Sequence, residues 1–179
     1  MSGPVLVIEL AEAVPPAAIR RLRDLLVRSS VRFEEKRVGE YDLNIRAGSL
    51  GIPETGGDEG RPVLVSVTGP GIGDESAFEA GHGEEIDQEP LIGFRPTHAA
   101  HVVAFSNRPV DHVVTALLAA AVIDVIGGVV NAELWEDRVP VVAGLPGVIA
   151  TTTDPWPAVY GSAEFLRAWV RQPGFRLLK

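Results

Sequence analysis

The 179-residue sequence contains no cysteine, one methionine and two lysines, and only 6% of it is aromatic. The missing cysteine excludes thiol nucleophiles, redox pairs, disulfides and Cys-ligated zinc or iron–sulfur centres in one step. Lysine is confined to Lys36 and Lys179, so fourteen of the sixteen cations are arginine, a bias that reads as GC-rich bacterial coding. Positive charge is in deficit: a net charge of −8 disfavours a general role on nucleic acid or on an anionic membrane surface. Long apolar runs are also missing. The longest, Ala116 to Ile123, is eight residues, short of the roughly 20 that a membrane span requires. The N-terminus has no cationic region and Glu9 interrupts Val5 to Leu10, so no secretory signal is expected and a cytoplasmic location follows.

What is present reads as a single α+β domain over residues 1–179. Val5 to Leu10 predicts a strand, and Pro15-Pro16 opens a segment in which Ile19, Leu22, Leu25 and Leu26 recur at helical spacing. Val31 and Phe33, then Tyr41, Leu43, Ile45 and Ala47, alternate with polar residues as a hairpin, and Val63, Val65 and Val67 form a further strand. Residues 48–97 include a long polar excursion broken only by that strand. Beyond it, His101 to Phe105 predicts a strand, Val110 to Ile126 a helix, and Val129 to Leu134 another strand after Gly127-Gly128. The tail holds two weaker apolar runs, a Pro-Trp-Pro loop and a final helix near Ser162 to Arg171. This order predicts a largely antiparallel sheet with helices on one face, and leaves open two ferredoxin-like βαβ halves. The helix from Val110 is apolar nearly all round, so it needs cover on more than one side, from the sheet and from another helix or a partner subunit. A homodimer is therefore open.

Catalytic motifs are sparse. His98 and His101 are three apart on one predicted strand and point to opposite faces, so they do not share a metal ion. Gly69, Gly71 and Gly73 follow a strand, but Asp74 and Glu75 come next and would repel phosphate. None of Ser29, Ser30, Ser66, Ser76 or Ser106 stands in a nucleophile motif. No cofactor or metal is expected. One catalytic alternative survives: a small hydrolase or metal-dependent enzyme using Asp111 and His112, with Glu85 and His82.

Charge distribution is more informative. From Glu54 to Glu89 there are ten acids, including Asp58, Glu59, Asp74, Glu75, Glu79, Glu84, Glu85, Asp87 and Glu89, against the single base Arg61. The rest of the chain, with 14 acids and 15 bases, is nearly neutral. Such a region suits capture of a cationic partner, because complementary potential speeds encounter and fixes orientation. Trp135 and Trp156, the latter between two prolines, are candidate contact residues, since tryptophan is enriched in binding hot spots.

The stretch Pro109 to Leu134, with Gly127-Gly128 running into Val129-Val130-Asn131-Ala132-Glu133-Leu134, and the ending Phe165-Leu166-Arg167-Ala168-Trp169 with Pro173-Gly174-Phe175-Arg176-Leu177-Leu178-Lys179, resemble small cytoplasmic bacterial proteins of the polymorphic-toxin immunity type. The resemblance covers about half the chain. It implies a non-catalytic protein that binds and occludes a cognate toxin, and the acidic region is then expected to face a cationic active-site cleft. The remaining alternative is a dimeric ligand-binding scaffold.

Overall fold

Alternation along Val5 to Leu10 puts Leu6, Ile8 and Leu10 on one side of a strand and Val5, Val7 and Glu9 on the other. The two sides meet different fates. In the computed structural model, which describes residues 3–53, 60–82 and 87–178, the strands are β1 (Val5–Leu10), β2 (Ser30–Arg37), β3 (Glu40–Ile45), β4 (Arg61–Thr68), β5 (His98–Ala104), β6 (Val129–Glu133), β7 (Val148–Thr152) and β8 (Ala158–Gly161). The helices are α1 (Pro16–Ser29), α2 (Glu75–His82), α3 (Glu89–Ile92), α4 (Pro109–Ile126), α5 (Val139–Val142) and α6 (Ala163–Trp169). All eight strands join one sheet in the order β2-β3-β4-β5-β1-β6-β8-β7, antiparallel at every pairing.

The fold is thus α+β, with its principal helices on one face of an antiparallel sheet, as the element order implies. It is one continuous sheet rather than two halves. The crossover β1-α1-β2 passes β5, β4 and β3, and β5-α4-β6 passes β1. The excursion, read as lacking regular structure, holds α2 and α3, because two short helices of one and two turns leave no sustained apolar period to detect.

Leu6 and Ile8 join Val65 of β4 and Val102 of β5 in the core, under Leu118 of α4 and Leu22 of α1. Helix α4 has no polar face because it has no solvent face to speak of: the sheet lies beneath it, and α1 and α6 pack along its flanks. Both covers that its composition demands come from within the chain. By length and composition alone its 18 residues could cross a membrane, and 56% of that window is buried here. The helix start is fixed to the sheet by Asp111, whose carboxylate accepts from the Arg108 main-chain N–H at 2.7 Å and pairs with Arg61 of β4 at 2.6 Å. Its end turns on Gly127 and Gly128, at φ 78° and 100°. A Cβ at Gly128 would lie 2.7 Å from Ile8 Cγ2 and 2.8 Å from the main-chain oxygen of Glu9.

Gly128→Ala is therefore expected to strain the backbone by about 1–3 kcal/mol and to press on β1 beside Glu9 as well. Urea unfolding checks this as a lowered midpoint with an unchanged slope.

Candidate functional site

The side of β1 that faces away from the core helices carries Val5, Val7 and Glu9. Glu9 lies in register with Ala99 of β5 and Val129 of β6, in the centre of the sheet, and its exposure is 0%. A carboxylate there must be paired and hydrogen-bonded to be tolerated. Its partners come from three separate segments. Oε2 meets Nε2 of His82 at 2.9 Å, while Oε1 accepts from the side-chain amides of Gln88 at 3.3 Å and Asn131 at 3.1 Å. His82 ends α2, stacks on Phe78 with ring centroids 4.2 Å apart, and directs Nδ1 at the Phe78 carbonyl at 3.0 Å. Both imidazole nitrogens are thus engaged, one by a carbonyl and one by a carboxyl group. The two amides donate to Oε1 and stabilise negative charge on Glu9. The result is a buried His82–Glu9 contact that fastens the excursion onto the open face.

A polar row crosses the sheet beside this pair: Ser66 of β4, His101 of β5, Val7, Asn131 and Tyr160 of β8 are successive cross-strand neighbours. His101 is held below its ordinary pKa of 6.5, first by burial; the Glu9 carboxylate pulls it up and His82 pushes it down. Beyond the row the face is uncovered. Val5, Val103 and Leu64 form the next cross-strand row, Phe105 is 51% exposed, and a cavity of about 230 Å³ opens where β1 and β6 part. Its walls include Asn131, Glu133, Trp156 and Tyr160.

The acids singled out in the sequence divide into three groups. Asp58, Glu59, Glu84 and Glu85 lie outside the described residues. Asp74, Glu75 and Asp87 serve local structure. Asp74 Oδ1 accepts from the Ser76 hydroxyl at 2.6 Å and from the Ser76 and Ala77 N–H groups, and the Ser76 hydrogen bond leads in lowering its pKa. Glu75 accepts from the Gly71 N–H at 2.7 Å, and Asp87 accepts from the Glu89 N–H at 3.2 Å. Glu79 and Glu89 are exposed. Trp135 and Trp156 are 44% and 45% exposed, and Trp156 alone of the two lines the cavity.

Asp111 and His112, the catalytic alternative, lie on α4, across the sheet from His82. Asp111 is occupied by Arg61, and His112 Nδ1 accepts from the Leu177 N–H at 3.2 Å, tying down the C-terminal segment. His98 and His101 do point to opposite faces: His98 Nε2 meets the Pro70 carbonyl at 3.0 Å, and His101 joins the open face. Among the described residues no group of three or more acidic or histidine side chains is placed to hold a metal ion. Sequence reasoning passed over Glu9 and Asn131. The available signal was an acid in the middle of an otherwise apolar strand, which demands a partner wherever that strand is central.

Two outcomes follow from the pair and from His101. His82→Ala strands a buried carboxylate and is expected to cost on the order of 3 kcal/mol; Glu9→Leu in the same chain should recover part of that loss in urea unfolding. For His101, the folded chain resists a proton that the unfolded chain accepts. Its contribution to stability is complete above pH 6.5 and is lost as pH falls from there through the depressed folded value. His101→Gln should flatten that part of the stability–pH curve relative to the wild type.

Neither a curated protein nor a solved structure matches this chain. Residues 2–179 match the profile of DUF6368, a family of unknown function, and the chain belongs to that family.

Proposed function

We propose that this protein is a non-catalytic binding protein of the immunity type, which neutralises a cognate toxin by laying the uncovered half of its sheet over a cationic active-site cleft. The observation that carries this reading is the composition of that half-face. Exposed Val5, Phe105 and Trp156 provide an apolar centre, while Glu133, Glu136 and Asp137, with Trp135 among them in the chain, are exposed carboxylates at and just beyond the end of β6. An apolar centre with a charged, wet rim is the anatomy of protein interfaces, and aromatic residues are enriched in such centres. Acidic Glu79 and Glu89 extend the same sign of charge onto the excursion, which favours a basic surface opposite.

The buried His82–Glu9 pair speaks for a structural role rather than for acid–base chemistry. Both ring nitrogens are engaged, one by Glu9 and one by the Phe78 carbonyl, so a substrate proton has no ring position to meet without dismantling the contact that holds α2.

Co-expression with the product of the adjacent gene tests the reading. The wild-type chain is expected to bind that product and restore growth to cells poisoned by it. Combined Glu79→Lys, Glu89→Lys and Glu133→Lys should weaken association by at least about tenfold and reduce its salt dependence. A product that is harmless, or that binds the charge-reversed chain equally well, overturns the proposal.

A further inference from the structure

We propose that the cavity between β1 and β6 is a socket for one arginine side chain presented by the protein partner. This rests on the binding reading above and names what its contact centre recognises. The cavity exists because the ladder between the two central strands stops early: Val7 pairs with Asn131, but the next residues in register, Val5 and Glu133, are not paired with each other. The space left beyond Val7 and Asn131 is walled by residues of β1, β6 and β8 together with Trp156, Gln88, Leu177 and Leu178. At about 230 Å³ the space falls below the roughly 300–1,000 Å³ of pockets for drug-sized molecules, and suits a single inserted side chain.

Its chemistry selects the guest. Among the described residues lining the cavity Glu133 is the only charged one, so a cation is favoured and an anion is repelled. Trp156, 45% exposed, supplies aromatic surface on which a planar guanidinium stacks. Asn131 spends its amide nitrogen on Glu9 at 3.1 Å, so the carbonyl oxygen of the same amide is its acceptor end. Arginine offers five N–H donors and no acceptor, which matches a carboxylate and an amide carbonyl together. A lysine ammonium is a point charge without a stacking plane, and fits less well. Glu9 does not touch the guest in this scheme; it orients Asn131 and so acts as a positioning residue.

The probe is N-acetyl-arginine methylamide, titrated to tens of millimolar against the isotopically labelled full chain, with the lysine and norleucine analogues as controls. Saturable shifts are expected at the Trp156 indole and Asn131 side-chain resonances, several-fold weaker with lysine and missing with norleucine. Glu133→Gln and Trp156→Ala should each weaken binding by about tenfold. Both residues are exposed, and an unchanged urea midpoint verifies that each variant folds. Shifts that do not saturate, that norleucine reproduces, or that survive both substitutions overturn the socket. The two proposals fail separately. Probe binding without association to the adjacent gene's product removes the immunity reading alone, and association without probe binding removes the socket alone.

Discussion

A single buried charge organises the open side of this molecule. Glu9 stands in the central strand, where among the described residues it is paired with no arginine or lysine, and an ionised carboxylate in that position is tolerable only if its oxygens are satisfied. The solution draws on residues 73, 79 and 122 positions away in sequence: His82, Gln88 and Asn131. Two of the three belong to the excursion, so satisfying the carboxylate also decides where the excursion lies. It crosses the half of the sheet that holds Glu9, and the remainder stays open. Asn131, the third partner, then becomes part of the wall of the cavity between β1 and β6. The contact that stabilises the covered half thus shapes the edge of the uncovered half.

Much of the scaffold was legible in the sequence because it obeys simple periods. β1, α1 and the strands around Val63–Val67 and Val129–Leu134 follow alternation or helical spacing, and each buries the side that spacing selects. α4 was legible for the opposite reason: an all-round apolar helix requires cover on several sides, and the sheet, α1 and α6 supply it. The site was harder to read. Glu9 looked like an interruption of an apolar run, since its partners are distant in sequence and no local pattern links them. The charge count over the excursion was accurate as arithmetic, but could not separate carboxylates that cap turns, such as Asp74 and Asp87, from those that face solvent, such as Glu79 and Glu89. That separation depends on which N–H groups a fold leaves orphaned at its helix starts.

The two faces of the sheet divide the work. On the helix side, stability comes from apolar contact and from the Arg61–Asp111 pair that locks the start of α4 to β4, with His112 securing the C-terminal segment. On the open side, apolar and acidic groups remain in contact with water, which an antiparallel sheet allows because its hydrogen bonds are complete whether or not a second layer covers it. Substitutions at the exposed positions of the open side can therefore be made without dismantling the core.

The edges of the sheet are poorly suited to the addition of a further strand. An unpaired edge strand invites another strand to add, and proteins block it with charge, irregularity or cover. β2, at one edge, presents Arg32, Glu34, Glu35, Lys36 and Arg37 in one short run, with register shifts near both ends. β7, at the other, is five residues long, carries a register shift of its own, and packs against α3. Strand addition is disfavoured at both. Between β1 and β6 the ladder ends at Val7 and Asn131, and the cavity beyond it is walled by side chains. For the partner proposed above, the face rather than either edge is then the accessible approach, and a side chain entering from above can reach the cavity.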